Sequence, residues 1–401
     1  MRRVVITGAG SINALAEGVG ATKTALAAGR SGIGALQFPD VERLNVRIGA
    51  QIHGFAPQDR FDPGKLALYD AFTQYALVSG AEAMAQAGLE NAPDPARWGC
   101  IIGTAGGGHG TANDAYRAVY AQGKTRVHPL TVPKLMANAA PAHLAIRFHL
   151  QGPGFAVSTA CASSNHAIGL AFQMVRSGMV DGMLAGGAEA MLNFGGLKAW
   201  EGLRVMSPDG CRPFSADRNG MVQGEGAGVF VLETLDAALA RGATPLAEIT
   251  GFSMNCDASD IVMPDQDSAA RAIAEALKDA GMAPEEVGYI NAHGTATAAN
   301  DRIETAAIRH VFGEAADHVA VSSTKSMHGH CIGATGAVEL VACLMALQDG
   351  VIAPTINYGA PDPDCDLDVV PNEARRAQVG AVLSNAFAFG GFNAVLALRA
   401  I

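Results

Sequence analysis

Short aliphatic runs alternate with amphipathic helical stretches along this chain, and that alternation restricts the fold more than any other feature. Val4–Thr7, Gly99–Gly103, Ala156–Ala160, Met183–Gly187 and Ala227–Leu232 read as buried strands. Ala247–Phe252, Val287–Ala292, Val319–Ser323, Ala381–Leu383 and Ala394–Leu398 read the same way. Leu66–Ala87, Ser268–Ala280 and Ala337–Asp349 carry the helical period. Strands separated by helices predict an α/β fold with the sheet faces covered by helices. The two halves also resemble each other. Ala156-Val157-Ser158-Thr159 leads to Cys161, and Ala320-Val321-Ser322-Ser323 leads to Thr324 and Lys325. Cys100-Ile101-Ile102-Gly103 precedes a glycine-rich loop, as Tyr289-Ile290-Asn291-Ala292 precedes His293-Gly294-Thr295. A duplicated unit predicts two pseudo-symmetric halves, residues 1–250 and 251–401, with the boundary near Gly251 and the site between them.

The chain has 401 residues, more than one ordinary domain needs. Its net charge of −10 excludes a general nucleic-acid binder. With 49% of residues hydrophobic and 16% charged, a large core and a subunit interface are both expected. Seven cysteines without a CxxC pair imply reduced thiols and a cytoplasmic location. The N-terminus runs straight into a strand and no apolar run reaches membrane-spanning length, so no membrane insertion is expected.

Cys161 stands between a strand-like run and the helical pattern Ala162–Ser177. Unpaired N–H groups and the dipole at a helix start favour a thiolate, hence a nucleophile. Two further segments share its character: Asn291-Ala292-His293-Gly294-Thr295-Ala296-Thr297 and Thr324-Lys325-Ser326-Met327-His328-Gly329-His330. Each follows a strand and is rich in small residues, so a substrate can approach the backbone. Imidazoles there can donate or accept a proton near neutral pH. Gly103–Gly110 lacks the Lys-Ser/Thr of a phosphate loop, and Gly224–Gly228 lacks dinucleotide-binding spacing. His328-Gly329-His330-Cys331 has no second ligand cluster, so no metal is expected and His328 reads as structural. His166 faces away from Cys161 on its helix and reads as packed. The other six cysteines read as buried and inert.

Taken together the segments resemble the elongating β-ketoacyl-acyl carrier protein synthases, of the thiolase-like fold. The match rests on Thr159-Ala160-Cys161, Asn291–Thr295, Ser323–His330, Gly186-Gly187-Ala188-Glu189, Pro213-Phe214, Asp217-Arg218 and Phe387–Gly391. His-Gly-His-Cys, Asn300-Asp301-Arg302 and Asn385–Phe389 look more like the nodulation-type branch. The resemblance implies a layered α-β-α-β-α arrangement and a two-stage reaction. Cys161 takes an acyl chain from an acyl carrier protein. Decarboxylation of malonyl on a second carrier then gives a carbanion, whose attack on the acyl-enzyme yields a 3-oxoacyl product two carbons longer. It further implies His293 and His330 as the catalytic histidines, Lys325 as the nearby lysine with Glu304 and Glu339 as its partners, and the N–H groups of Cys161 and Phe389 as the oxyanion hole. Thr295 and Thr297 would hold the pantetheine arm, and Phe389 would be the gate. No cofactor of its own is implied, because 4'-phosphopantetheine arrives on the carrier. A homodimer is implied, with Leu130 and Thr131 near the partner's acyl pocket. Carrier docking falls to Arg204 and Lys65, with Lys124 and Arg126 as further candidates.

Two positions depart from the family pattern. Ala388 precedes the gate where Gly is common, and Phe392 follows the Gly-Gly pair where Thr is common. Phe392 is therefore expected to shape the second-substrate site, since Ala restricts the backbone and Phe adds bulk. Gly106 stands where some relatives block the acyl pocket with a bulky residue, which predicts tolerance of long chains. The alternative is a non-catalytic partner similar to a chain-length factor; those typically lack the nucleophile, so Cys161 and both histidines speak against it.

Overall fold

The computed structural model describes residues 1–401. Five strands form each half of one continuous eleven-stranded sheet, the eleventh being a two-residue strand, Ala16–Glu17, paired with the end of the first. The first half holds β1 (Val4–Asn13), β2 (Trp98–Gly103), β3 (Gly154–Val157), β4 (Gly182–Glu189) and β5 (Gly226–Thr234). The second holds β6 (Ala247–Cys256), β7 (Tyr289–Asn291), β8 (Ala320–Ser322), β9 (Ala381–Ala388) and β10 (Phe392–Arg399). Their spatial orders are β3-β2-β4-β5-β1 and β8-β7-β9-β10-β6. The pattern of parallel and antiparallel pairing is the same in both. The halves meet through a short antiparallel ladder, Val4–Ile6 against Ala247–Ile249. Thus β3 and β8, which carried the sequence echo, lie at opposite edges in equivalent places. Gly251 lies inside β6, so the halves join at the turn before Ala247 instead of at Gly251.

Helices α1 (Ala71–Gln86) and α2 (Ala139–Phe148) cover the outer face of the first half. α3 (Ser163–Ser177) and α7 (Thr335–Asp349) lie between the two halves of the sheet. With α4 (Phe194–Leu203) beside the cavity described below, α5 (Gln266–Ala280) and α6 (Ala298–Phe312) cover the second half. This is the α-β-α-β-α layering of the thiolase-like fold. The segment Ile332–Asp349 is apolar and long enough to cross a bilayer, contrary to the expectation that no such run exists. It is 83% buried within the protein, so its apolarity serves the middle layer.

Two local readings shift. The helix expected over Leu66–Ala87 is two helices, Pro63–Leu66 and α1. Asp70 breaks it by accepting from Phe72 N as an N-cap and from Thr111 N and Oγ1. The strand expected to reach Ala160 stops at Val157. Ala160 there takes a left-handed φ of 47°, costly for a residue with a Cβ. Ser163 Oγ holds the bend, accepting from Thr159 N at 2.9 Å and donating to Ala160 O at 2.6 Å.

Candidate active site

The bend puts Cys161 in a 3₁₀ turn, Ala160–Ala162, at the start of α3. The loop after β7 supplies His293 and the loop after β8 leads to Lys325 and His330. Strand ends from both halves thus deliver all four to one buried place. Cys161 Sγ and ring nitrogens of His293 and His330 lie within 4.8 Å of one another. The imidazole rings stand edge to face, 5.6 Å apart. A cavity of about 130 Å³ opens onto them. Its walls include Thr295, Thr297, Phe387, Ala388 and Phe389.

Hydrogen bonding sets the proton on one imidazole. Ile332 N donates to His330 Nδ1 at 2.9 Å, and Thr335 Oγ1 lies 3.0 Å from the same atom. Nδ1 is therefore an acceptor, and neutral His330 carries its proton on Nε2. Burial, then the Lys325 charge, holds both His293 and His330 well below the usual imidazole range. Both are neutral donors at pH 7, suited to an oxygen that gains negative charge.

Burial pushes the Cys161 thiol up to about 12, against the Lys325 charge and the N–H of Phe389. The expected resting thiolate is corrected accordingly: desolvation outweighs the helix start, and the thiol loses its proton as it attacks. The N–H groups of Phe389 and of Cys161 itself both act on this sulfur and favour its thiolate, without outweighing burial.

Lys325 is wholly buried and its Nζ lies 2.6 Å from Glu339 Oε1. It also donates to His293 O. Glu304 does not pair with it. Its carboxylate accepts from His293 N at 2.8 Å, Gly294 N at 2.7 Å and Asn385 Nδ2 at 3.1 Å. Glu304 therefore shapes the histidine loop, because backbone donors there outnumber the single ammonium. A Cys-His-His set suits a soft metal by ligand type, but the ammonium that bears on all three groups opposes a cation there.

Residues 1–238 match the model of the β-ketoacyl synthase N-terminal domain, and residues 246–359 match that of the C-terminal domain. The chain belongs to the β-ketoacyl synthases.

Nodulation protein E of Rhizobium leguminosarum bv. trifolii is 48% identical, with both chains covered completely. 3-Oxoacyl-[acyl-carrier-protein] synthase 2 of Staphylococcus aureus (strain COL) is 40% identical over 99% of this chain and 98% of that protein. Among solved structures, the ishigamide ketosynthase/chain length factor superimposes with a TM-score of 0.96 at 37% identity, covering 100% of this chain and 99% of that one. With a nucleophile and two imidazoles converging, this synthase is an acyl-transferring, condensing enzyme, and the reading as a non-catalytic partner falls away.

Several expected residues sit elsewhere. Phe392 does not line the cavity; it starts β10, is 38% exposed, and lies against Gly390. Pairing with both Ala388 and Cys256 holds it at the strand end. Gly106 leaves no free room either. A Cβ there would meet Met191 Sδ at 2.8 Å, so the thioether already occupies that space. Arg204 is exposed directly before Val205, a cavity residue, whereas Lys65 is exposed in the short helix Pro63–Leu66 and is not a cavity residue. Cys256 is exposed, unlike the other cysteines. His328 and His166 are hydrogen-bonded packing residues, as expected.

The sequence reading missed Trp200, whose ring stacks on Phe389 at 5.8 Å and 23°. It also missed the apolar walls Val205, Met221, Val262 and Met263. An aromatic on a small-residue helix, α4, was the only sequence signal. Thr295 and Thr297 share a 2.9 Å hydroxyl contact in the cavity.

Because both imidazoles sit below their ordinary 6.5, protonation spares them in mild acid. The rate of malonyl decarboxylation should stay level from about pH 7.5 to about pH 6 and fall only below the lowered values. A rate halved near pH 6.5 would mean that these are ordinary histidines.

Proposed function

We propose that this synthase is a cytoplasmic homodimer that takes its acyl chain from an acyl carrier protein and extends it with carrier-bound malonyl. The convergence of Cys161, His293 and His330 on the wall of one cavity carries this reading. Cys161 sulfur attacks the thioester carbonyl, the oxyanion resting on the N–H groups of Cys161 and Phe389, and the carrier thiol leaves. Malonyl then loses carbon dioxide, and its enolate oxygen is held by the two imidazoles. The enolate carbon attacks the acyl-Cys161 carbonyl, a C–C bond forms as the C–S bond breaks, and the departing sulfur takes its proton back from solvent. No cofactor of the protein's own is needed, since the pantetheine arm comes with the carrier and passes Thr295 and Thr297. Arg204, next to the mouth, is the basic residue best placed to meet an acidic carrier.

Dimerisation is supported by β3, which forms the sheet edge and is only half-buried. Tyr116, Tyr120, Val127, Val132 and Met136 are also exposed. Seven free cysteines suit a reducing compartment. The test incubates the purified chain with acyl and malonyl carriers and follows 3-oxoacyl carrier by mass, with light scattering for the assembly. Product from a particle of twice 41.1 kDa is expected. No product, or a monomer that makes it, would refute the corresponding part.

Met191, filling the place beside Gly106, is the end wall we assign to the acyl pocket. Met191→Ala should lengthen the longest chain accepted by Cys161, and adding Gly106→Ile should shorten it again. Equal chain-length profiles for all three proteins would remove Met191 from that role.

A further inference from the structure

The geometry points to Glu189 as a positioning residue for the decarboxylation step, acting through the turn that sets His330. Glu189 ends β4 and is fully buried. One carboxylate oxygen accepts from Thr104 Oγ1 at 3.1 Å and Gly106 N at 3.0 Å. The other accepts from Ala105 N at 2.7 Å and Gly333 N at 3.1 Å. Three of these donors lie in the loop after β2, in the first half of the fold. The fourth lies just past His330, in the second half. Burial pushes Glu189 up to about 7, against these four donors; as a carboxylate, which accepts and cannot donate, it ties together two loops whose every contact with it is a donor. The loops press closely: a Cβ at Gly333 would meet Ala105 N at 2.5 Å.

What the tie holds is a strained turn. Ile332 has a left-handed φ of 46°, which a β-branched residue rarely adopts. On one side of that φ the N–H of Ile332 donates to His330 Nδ1. On the other side the N–H of Gly333 donates to Glu189. With Gly333 anchored, Ile332 cannot relax, its N–H stays on Nδ1, and the His330 proton stays on Nε2. The acylation step uses a different set of donors, the N–H groups of Cys161 and Phe389. Glu189 bears on Cys161 only as a nearby negative charge that disfavours the thiolate. Its removal should impair decarboxylation without slowing acyl transfer. A residue that merely supported the fold would affect both.

The test compares Glu189→Gln and the milder Thr104→Val with wild type. Acylation of Cys161 is timed by intact mass using a dodecanoyl carrier protein, and decarboxylation by carbon dioxide release from malonyl carrier. Glu189→Gln is expected to lose about tenfold or more in decarboxylation while acylating within about twofold of wild type. Thr104→Val, which removes one donor to Glu189 and the acceptor of Gly107 N but no charge, should show the same split at a few-fold. Equal losses in both half-reactions, or no loss in decarboxylation, would overturn the role of Glu189. If Glu189→Gln does not fold, Thr104→Val decides between the same outcomes. The inference rests on the condensing reaction proposed above: a wild type inactive in both half-reactions would refute that reading, whereas variants matching an active wild type would refute only this one.

Discussion

Cys161→Ala should take no acyl group and make no 3-oxoacyl product, a loss on the order of 10⁴-fold or more in condensation. Without sulfur there is no acyl-enzyme for the enolate to attack. Malonyl decarboxylation should survive, because its oxygen is held by His293 and His330, which owe their placement to other contacts. His330 is fixed by Ile332 N and Thr335, and the His293 loop by Glu304 and Lys325. The fold should change little, since deleting one small buried group costs about 1 kcal/mol. Mass spectrometry for the adduct and carbon dioxide release for decarboxylation check both halves. Decarboxylation lost together with acylation would mean that the sulfur takes part in both steps.

Lys325→Met should cost about 3–5 kcal/mol of stability at pH 8, read by denaturant unfolding. Lys325 and Glu339 have side-chain exposures of 0% and 1%, so neither charge has water to fall back on. Glu339 Oε2 has no other partner. Burial already pushes Glu339 up to about 7, against the Lys325 charge. Removing the lysine raises it further above the unfolded value, so the folded state holds a proton that the unfolded state has lost. The destabilisation is therefore largest at alkaline pH and shrinks as pH falls through the raised value. Lys325→Met with Glu339→Leu should recover most of the stability, because an apolar pair leaves no charge stranded. Condensation should stay impaired in the double variant, since the ammonium that donates to His293 O and fixes that loop is gone. A single variant as stable as wild type at pH 8 would show that the pair is reached by water.

The sequence carried much of this site because its chemistry lies in short segments next to strands. Cys161, His293, Lys325 and His330 each follow a strand-like run by a few residues, and in an α/β fold strand ends converge. The duplicated pattern placed them in two halves that face one another. Phe392, Gly106 and Glu304 were misread for one shared reason. Each was judged from its own size or charge, and each is governed by a neighbour distant in sequence: Cys256, Met191 and the backbone of His293. Trp200 was invisible because its ring meets Phe389 across the cavity, at no regular spacing along the chain.

By itself the sequence determined the layered α/β class, the duplication, the nucleophile and its two imidazoles, since periodicity and strand-adjacent motifs are local properties of the chain. Only the tertiary structure decided their protonation: a neutral His330 with its proton on Nε2, a Cys161 thiol held up by burial, and a Lys325 charge locked to Glu339. Those states depend on desolvation and on donors drawn from both halves, and neither exists until the halves have packed.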